Sequence, residues 1–108
     1  MPALNAPEMM SKIPEHFNPE KAGGVNGLVQ CYFTGEQASE WIIRIADQTC
    51  SVEEGVASDP DLTIKANAED GVKLLTGELD AMRAYMMGKI KVFGDLGLGR
   101  KLVNLFDR

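Results

Sequence analysis

The residues that could do chemistry in this sequence are one histidine, two cysteines and a few carboxylates. His16 is a candidate general base, but no serine or cysteine stands beside it, and a surface or capping role is favoured. Cys31 and Cys50 have no nearby cluster of Lys or Arg to lower a thiol pKa, so core packing is favoured for both. These three residues are too few and too widely spaced for a metal site. Four carboxylates fall at expected strand ends and turns, where a solvated rim is favoured over an acid and base pair: Glu53, Glu54, Asp59 and Asp61.

The run GDLGLGRK at residues 94–101 superficially resembles a phosphate-binding loop. It does not fit the P-loop pattern, because Gly99 is followed by Arg100, and Lys101 by Leu102 instead of Ser or Thr. It does not fit the dinucleotide fingerprint either, because Leu102 occupies the position of the last glycine. The sequence therefore predicts no catalytic residue, no metal and no cofactor, and we expect a binding protein rather than an enzyme.

The composition limits the partners and the location of the protein. The chain has 108 residues, 44% of them hydrophobic, which is enough for one domain over residues 1–108 with one core. A net charge of −5 argues against nucleic-acid binding and against electrostatic attachment to anionic membranes. There is no apolar run of membrane-spanning length and no secretory signal. With two cysteines interpreted as free thiols, we expect a cytoplasmic protein.

Hydrophobic periodicity and turn residues predict the elements that must position any site. Strands are predicted at 28–34, 39–46, 50–54, 62–66 and 89–93, with a tight hairpin at Asp47-Gln48. Helices are predicted at 7–17 with an interruption at Pro14, and then after the capping residues Asn67, Asp80 and Asp95. Gly97 and Gly99 weaken the first turn of the last helix, unless that helix begins later. The order predicts an α+β domain, with helices covering one face of a five-stranded, mainly antiparallel sheet.

The apolar residues on the last two helices allow two interpretations. Met82, Tyr85 and Met86 share one helical face, and the final helix carries the stripe Leu98, Leu102, Leu105 and Phe106. From composition alone, ordinary core filling is favoured. The alternative is an adaptable apolar cavity between sheet and helices, because methionine is flexible and suits changing partners.

Several segments in a fixed order resemble the sterol carrier protein 2 (SCP2) domain family over residues 10–106. A strand of the pattern D-x-T-I leads to a helix ending in L-x-x-G, then to F-M-x-G-K and K-V-x-G-D. The matching segments here are Asp61–Ile64, Leu74–Gly77, Tyr85–Lys89 and Lys91–Asp95, with Trp41 and Gly55 also fitting. The lack of a peroxisomal signal and the short flanks favour a free-standing, prokaryotic-type member.

The resemblance implies an apolar tunnel between sheet and helices that holds a fatty acid, acyl-CoA, isoprenoid or sterol without covalent chemistry. It implies a monomer or homodimer and allows transient membrane contact. The alternative is an interaction or dimerisation module associated with a lipid-metabolising enzyme. By matched position, the tunnel wall would be formed by Phe33, Trp41, Ile43, Ile64, Met82, Tyr85, Met86, Val92, Leu98, Leu102, Leu105 and Phe106.

Overall fold

The computed structural model describes residues 6–36, 38–76, 78–102 and 104–106. Within these residues the chain forms four α-helices, two short 3-10 helices and five strands. In chain order they are α1 (Ala6–Ser11), the 3-10 helices Ile13–His16 and Pro19–Ala22, β1 (Gly27–Thr34), β2 (Ser39–Ala46), β3 (Thr49–Glu54), β4 (Leu62–Asn67), α2 (Ala68–Thr76), α3 (Ala81–Met86), β5 (Ile90–Gly94) and α4 (Leu96–Leu102).

The five strands form one sheet in the order β3-β2-β1-β4-β5. All neighbouring pairs are antiparallel except β1 and β4, which are parallel. The predicted five-stranded, mainly antiparallel sheet is therefore confirmed. The hairpin between β2 and β3 has positive φ at Asp47 (51°) and Gln48 (60°), the conformation of a two-residue type I′ turn.

The core lies between one face of the sheet and the helices. Alternate residues of the central strands point into it, because successive side chains of a strand lie on opposite faces. These residues are Val29, Cys31 and Phe33 on β1, Trp41, Ile43 and Ile45 on β2, and Leu62, Ile64 and Ala66 on β4. Helix α2 contacts β1 and β4, while α3 and α4 contact the β5 side of the sheet. The helices thus cover one face, as predicted.

On the other face of the sheet, Gln30 holds the connection between β3 and β4 in place. Its side chain is fully buried, and its Nε2 donates to the carbonyls of Trp41 at 3.2 Å and Gly55 at 3.0 Å. Its Oε1 accepts from the backbone N–H of Ala57 at 2.6 Å. Gly55 and Ala57 belong to the connection that carries the chain from β3, at one edge, across to β4. Gln30 therefore satisfies backbone groups of a crossing segment that has no strand partner of its own.

The first and the last predicted helices differ from the structure in where they end. The helix expected at 7–17 ends at Ser11, and a separate 3-10 helix follows with Pro14 in its first turn, where a missing N–H costs little. The last helix ends at Leu102, before the end of the predicted stripe. Beyond it, Phe106 forms a backbone bridge with Phe17, and the two rings meet edge to face at 5.8 Å. None of the helices in the described ranges has the length and apolar character needed to cross a bilayer.

Candidate functional site

An apolar cavity of about 170 Å³ lies between the β4–β5 end of the sheet and helices α2, α3 and α4. Nine of its ten lining residues are apolar or glycine, apart from the phenol of one tyrosine, and the tenth is a single arginine. The lining consists of Ile64, Leu74, Ala81, Met82, Tyr85, Ile90, Val92, Leu96, Gly99 and Arg100. A cavity with this lining can hold an apolar group, and the arginine is the one charged residue of the lining.

The floor of the cavity is made by neighbouring residues of β4 and β5. Ile64 pairs in register with Val92, and Ile90 lies two residues before Val92 on the same face of β5. Ile64 and Ile90 are buried and Val92 is half-buried. Because β5 is the edge strand, the floor ends where the sheet ends, and only the helices close the cavity there.

Helix α3 forms one wall and is held by few contacts. Asp80 begins it, and the backbone N–H of Arg83 donates to the Asp80 carboxylate at 3.0 Å, as predicted for a capping residue. Ala84 is its one fully buried residue. The helix ends before Gly88, whose φ of 77° lies in the left-handed region that glycine adopts easily. Met82 and Tyr85 line the cavity while remaining largely exposed, so this wall is thin.

Helix α4 forms the opposite wall and is anchored more firmly. Asp95 caps it as predicted, accepting from the backbone N–H of Leu98 at 3.0 Å. Leu98 packs against β1 where Gly27 has no side chain, since a Cβ there would lie 2.5 Å from the Leu98 Cδ2 atom. Gly97 and Gly99 lie inside the helix, so the alternative of a later start is wrong. Leu96 and Arg100 face the cavity one turn apart.

The structure brings together four of the twelve residues predicted for a tunnel wall: Ile64, Met82, Tyr85 and Val92. Seven others pack in the core cluster and do not line this cavity: Phe33, Trp41, Ile43, Leu98, Leu102, Leu105 and Phe106. Met86 is 78% exposed and lies outside the lining. Contact between a ligand and any of the twelve residues stays a prediction.

Six lining residues were not predicted: Leu74, Ala81, Ile90, Leu96, Gly99 and Arg100. Strand alternation would have found Ile90, because it shares a face with Val92. Helical spacing would have paired Leu96 with Arg100. In the sequence, Arg100 stands in a run that resembles a phosphate loop, whereas in the structure it is an exposed residue of the cavity lining.

The other candidate chemical groups lie outside the cavity lining. Burial raises the pKa of the Cys31 thiol to about 12 and that of Cys50 to about 11, which keeps both thiols protonated at neutral pH. The Asp61 carboxylate accepts from the backbone N–H of Leu28 at 2.8 Å and so joins β1 to the start of β4. His16 sits at the end of a 3-10 helix that contacts β3 and α2. Within the described residues, no group of three or more His, Cys, Asp or Glu side chains is placed to hold a metal ion.

Comparison with known proteins gives a consistent result over nearly the whole chain. Residues 10–107 match the SCP-2 sterol transfer family. Hydroxysteroid dehydrogenase-like protein 2 of Xenopus laevis is 28% identical over 102 residues, which cover 94% of this chain and 24% of that protein. Sterol carrier protein 2 of Homo sapiens is 29% identical over 86 residues, covering 80% of this chain and 16% of that protein. The chain thus spans about a quarter or less of the length of these curated relatives.

Among solved structures, the solution structure of palmitated SCP2L2 from Aedes aegypti matches this chain with a TM-score of 0.69 and 27% identity. That match covers 92% of this chain and 88% of the insect chain. The sheet and helices described above are therefore those of a known fold.

Proposed function

This chain belongs to the SCP-2 sterol transfer family, and we propose that it binds and carries one lipid molecule, whose apolar chain enters the cavity between β4–β5 and helices α2 to α4. The observation that carries the proposal is the cavity itself, which is apolar except for Arg100 and the Tyr85 hydroxyl. Burial of apolar ligand surface at about 25 cal/mol per Å² would drive binding. The proposal assigns no covalent step, because Cys31 is buried, Cys50 is half-buried and neither lines the cavity.

The ligand class that fits best is a fatty-acyl chain. The cavity of about 170 Å³ is smaller than the roughly 300–1,000 Å³ typical of pockets for larger ligands. A slender chain needs less rearrangement to enter such a space than a fused-ring sterol does. The solved structure of the related insect protein, described as palmitated SCP2L2, supports the same class. Acyl-CoA and isoprenoid ligands share the slender apolar chain and are the next candidates.

We propose that α3 moves outward to admit the rest of the chain. The helix has six residues, only Ala84 of which is fully buried, and Gly88 at its end adopts φ values on both sides of zero with little cost. Moving it would uncover Ala84 and the cavity floor at Ile64 and Ile90, and the entering apolar chain would cover that floor again. The opposite wall, α4, is fixed by the buried Leu98 and Leu102 and is the less mobile side.

A matched pair of variants tests the site. Val92→Asp places a carboxylate in the cavity, where a charge without a partner is strongly disfavoured, and should reduce affinity for a fluorescent fatty acid at least about 100-fold. Val56→Asp makes the same change at a position that is 61% exposed and outside the lining, and should leave affinity unchanged. Circular dichroism checks that both variants fold. Equal affinity of the folded Val92→Asp protein and the wild type would refute the site.

A further inference from the structure

Most of the exposed apolar surface of this protein is concentrated beside the cavity. Among the described residues, eight large hydrophobic side chains are exposed, and five of them lie on α3, directly after it, or at the start of α4. They are Met82, Tyr85, Met86, Met87 and Leu96, whereas the exposed Phe93 lies on the opposite face of β5 from Val92. A concentration of this kind marks an interaction site more often than scattered single residues do.

On α3 the exposed methionines form one continuous face. Each residue of an α-helix advances the side-chain direction by about 100°, so Met82 and Met86 both point roughly opposite the buried Ala84. Met86 is 78% exposed, the highest value among the large hydrophobic residues. Packing of the domain does not account for this face, because the residue that packs is Ala84.

The same part of the chain has the opposite charge from the rest of the molecule. Residues 81–102 contain five basic residues and one acidic residue, leaving six basic and fifteen acidic residues elsewhere. The five are Arg83, Lys89, Lys91, Arg100 and Lys101. Within the described part of the chain, none of the five takes part in an ion pair. The net charge of −5 therefore conceals a basic segment that contains α3, β5 and α4. Lys91 of this segment lies on the opposite face of β5 from the cavity, and Glu78 and Asp80 directly precede the segment.

Apolar and basic groups meet at the mouth of the cavity. Leu96 and Arg100 lie one turn apart on α4, and both are exposed while lining the cavity together with Met82 and Tyr85. An apolar rim carrying a guanidinium matches the layering of a bilayer surface, with acyl chains below and phosphates above. Arginine binds phosphate oxygens with two parallel hydrogen bonds.

We propose that the side formed by α3 and the start of α4 docks on anionic phospholipid bilayers, with Met82, Met86 and Leu96 at the acyl boundary and Arg100 on lipid phosphate. A second copy of the chain is a poorer occupant, because a two-fold interface would place two basic surfaces against each other. A bilayer supplies the complementary negative charge and an apolar layer. Resting on the proposed function, docking here would place the cavity mouth directly against the source of its ligand.

Vesicle flotation tests the proposal with two kinds of vesicle, phosphatidylcholine alone and phosphatidylcholine mixed with phosphatidylglycerol. The wild-type protein should float with the anionic vesicles, bind the neutral ones much less, and be released by salt. Arg100→Glu should weaken partitioning about 25-fold, because each basic charge near an anionic surface contributes roughly five-fold. Arg44→Glu makes the same change in net charge at an exposed residue of β2 and should have little effect.

The apolar part is tested by Met86→Ser, with Met9→Ser on α1 as its control. We expect Met86→Ser to reduce partitioning several-fold and Met9→Ser to leave it unchanged. Failure of the wild type to bind anionic vesicles, or equal losses for Arg44→Glu and Arg100→Glu, would overturn the proposal. So would a solution dimer that Met86→Ser dissociates, because a second copy would then cover this side.

Fatty-acid binding without vesicles separates this inference from the proposed function. Tight binding of a fluorescent fatty acid with no vesicle association would refute the docking surface alone. Vesicle association that depends on Arg100 and Met86, without fatty-acid binding, would support the docking surface and refute the carrier function.

Discussion

Lengthening a bound fatty acid should strengthen binding well beyond the chain length that the cavity can hold with α3 in its present position. A cavity of about 150 Å³ with apolar walls accommodates one benzene ring, so the 170 Å³ here corresponds to roughly six carbon atoms. Each buried methylene contributes about 0.8 kcal/mol, which is close to a four-fold gain in affinity. With rigid walls, the gain would stop near about six carbons. Because α3 has only Ala84 fully buried, we expect it to move and the gain to continue.

The assay is displacement of a fluorescent fatty acid by saturated acids of increasing length, at constant ionic strength and below their micelle concentrations. The Ala81→Phe variant is measured in the same assay. Ala81 lines the cavity, and the added ring would occupy a volume close to that of the cavity. We expect this variant to lose the short acids entirely and to bind the long ones more weakly. A plateau near about six carbons in the wild type would refute the mobile α3.

Three further predictions concern stability. Burial raises the pKa of Cys31 from 9.0 to about 12, so the folded state holds this proton more tightly than the unfolded state does. The contribution of Cys31 to the free energy of unfolding should be fully present below about pH 9 and should decrease as the pH rises toward 12. Urea titrations at several pH values should show this decrease, and Cys31→Ala should make it smaller. Gln30→Met should cost about 2–4 kcal/mol, because it leaves the Ala57 N–H and the Gly55 carbonyl without this partner; a loss below about 1 kcal/mol would contradict the role of Gln30. Asp95→Ala removes the cap of α4 and should cost about 1 kcal/mol in the same assay, whereas an unchanged midpoint would argue against that cap.

The elements of this fold could be predicted because their signals are local. Alternation along β2 and β4 reports which residues face the core, and Asp80 and Asp95 satisfy backbone groups only a few residues away. The parallel pairing of β1 and β4 depends instead on distant contacts. Gln30 holds the crossing segment, and Asp61 joins it to β1 through Leu28. Neither side chain has a periodic pattern that would identify this role in the sequence.

The limits of the cavity could not be predicted for a related reason. Ile43 and Val92 both occupy inward positions on strands, and the sequence does not distinguish them. The two residues differ in how closely the helices pack against their part of the sheet. The N-terminal 3-10 helix and α1 contact β3, while the short α3 contacts β5. The inward residues of β1 and β2 thus meet closely packed neighbours, and those of β5 meet an open space.

The sheet therefore has a closely packed half and a half that borders the cavity, and one matched pair of substitutions should separate them. Ile43→Ala removes a side chain that is fully buried in the closely packed half, and should cost about 2–5 kcal/mol in urea unfolding. Ile90→Ala makes the same change beside existing empty space, where fewer contacts are lost, and should cost less. It should also enlarge the cavity and shift the preferred fatty acid toward longer or bulkier chains. If Ile43→Ala altered the chain-length preference as strongly, the bound chain would extend beneath β2, as the predicted tunnel wall requires, and the closely packed half would have to open on binding.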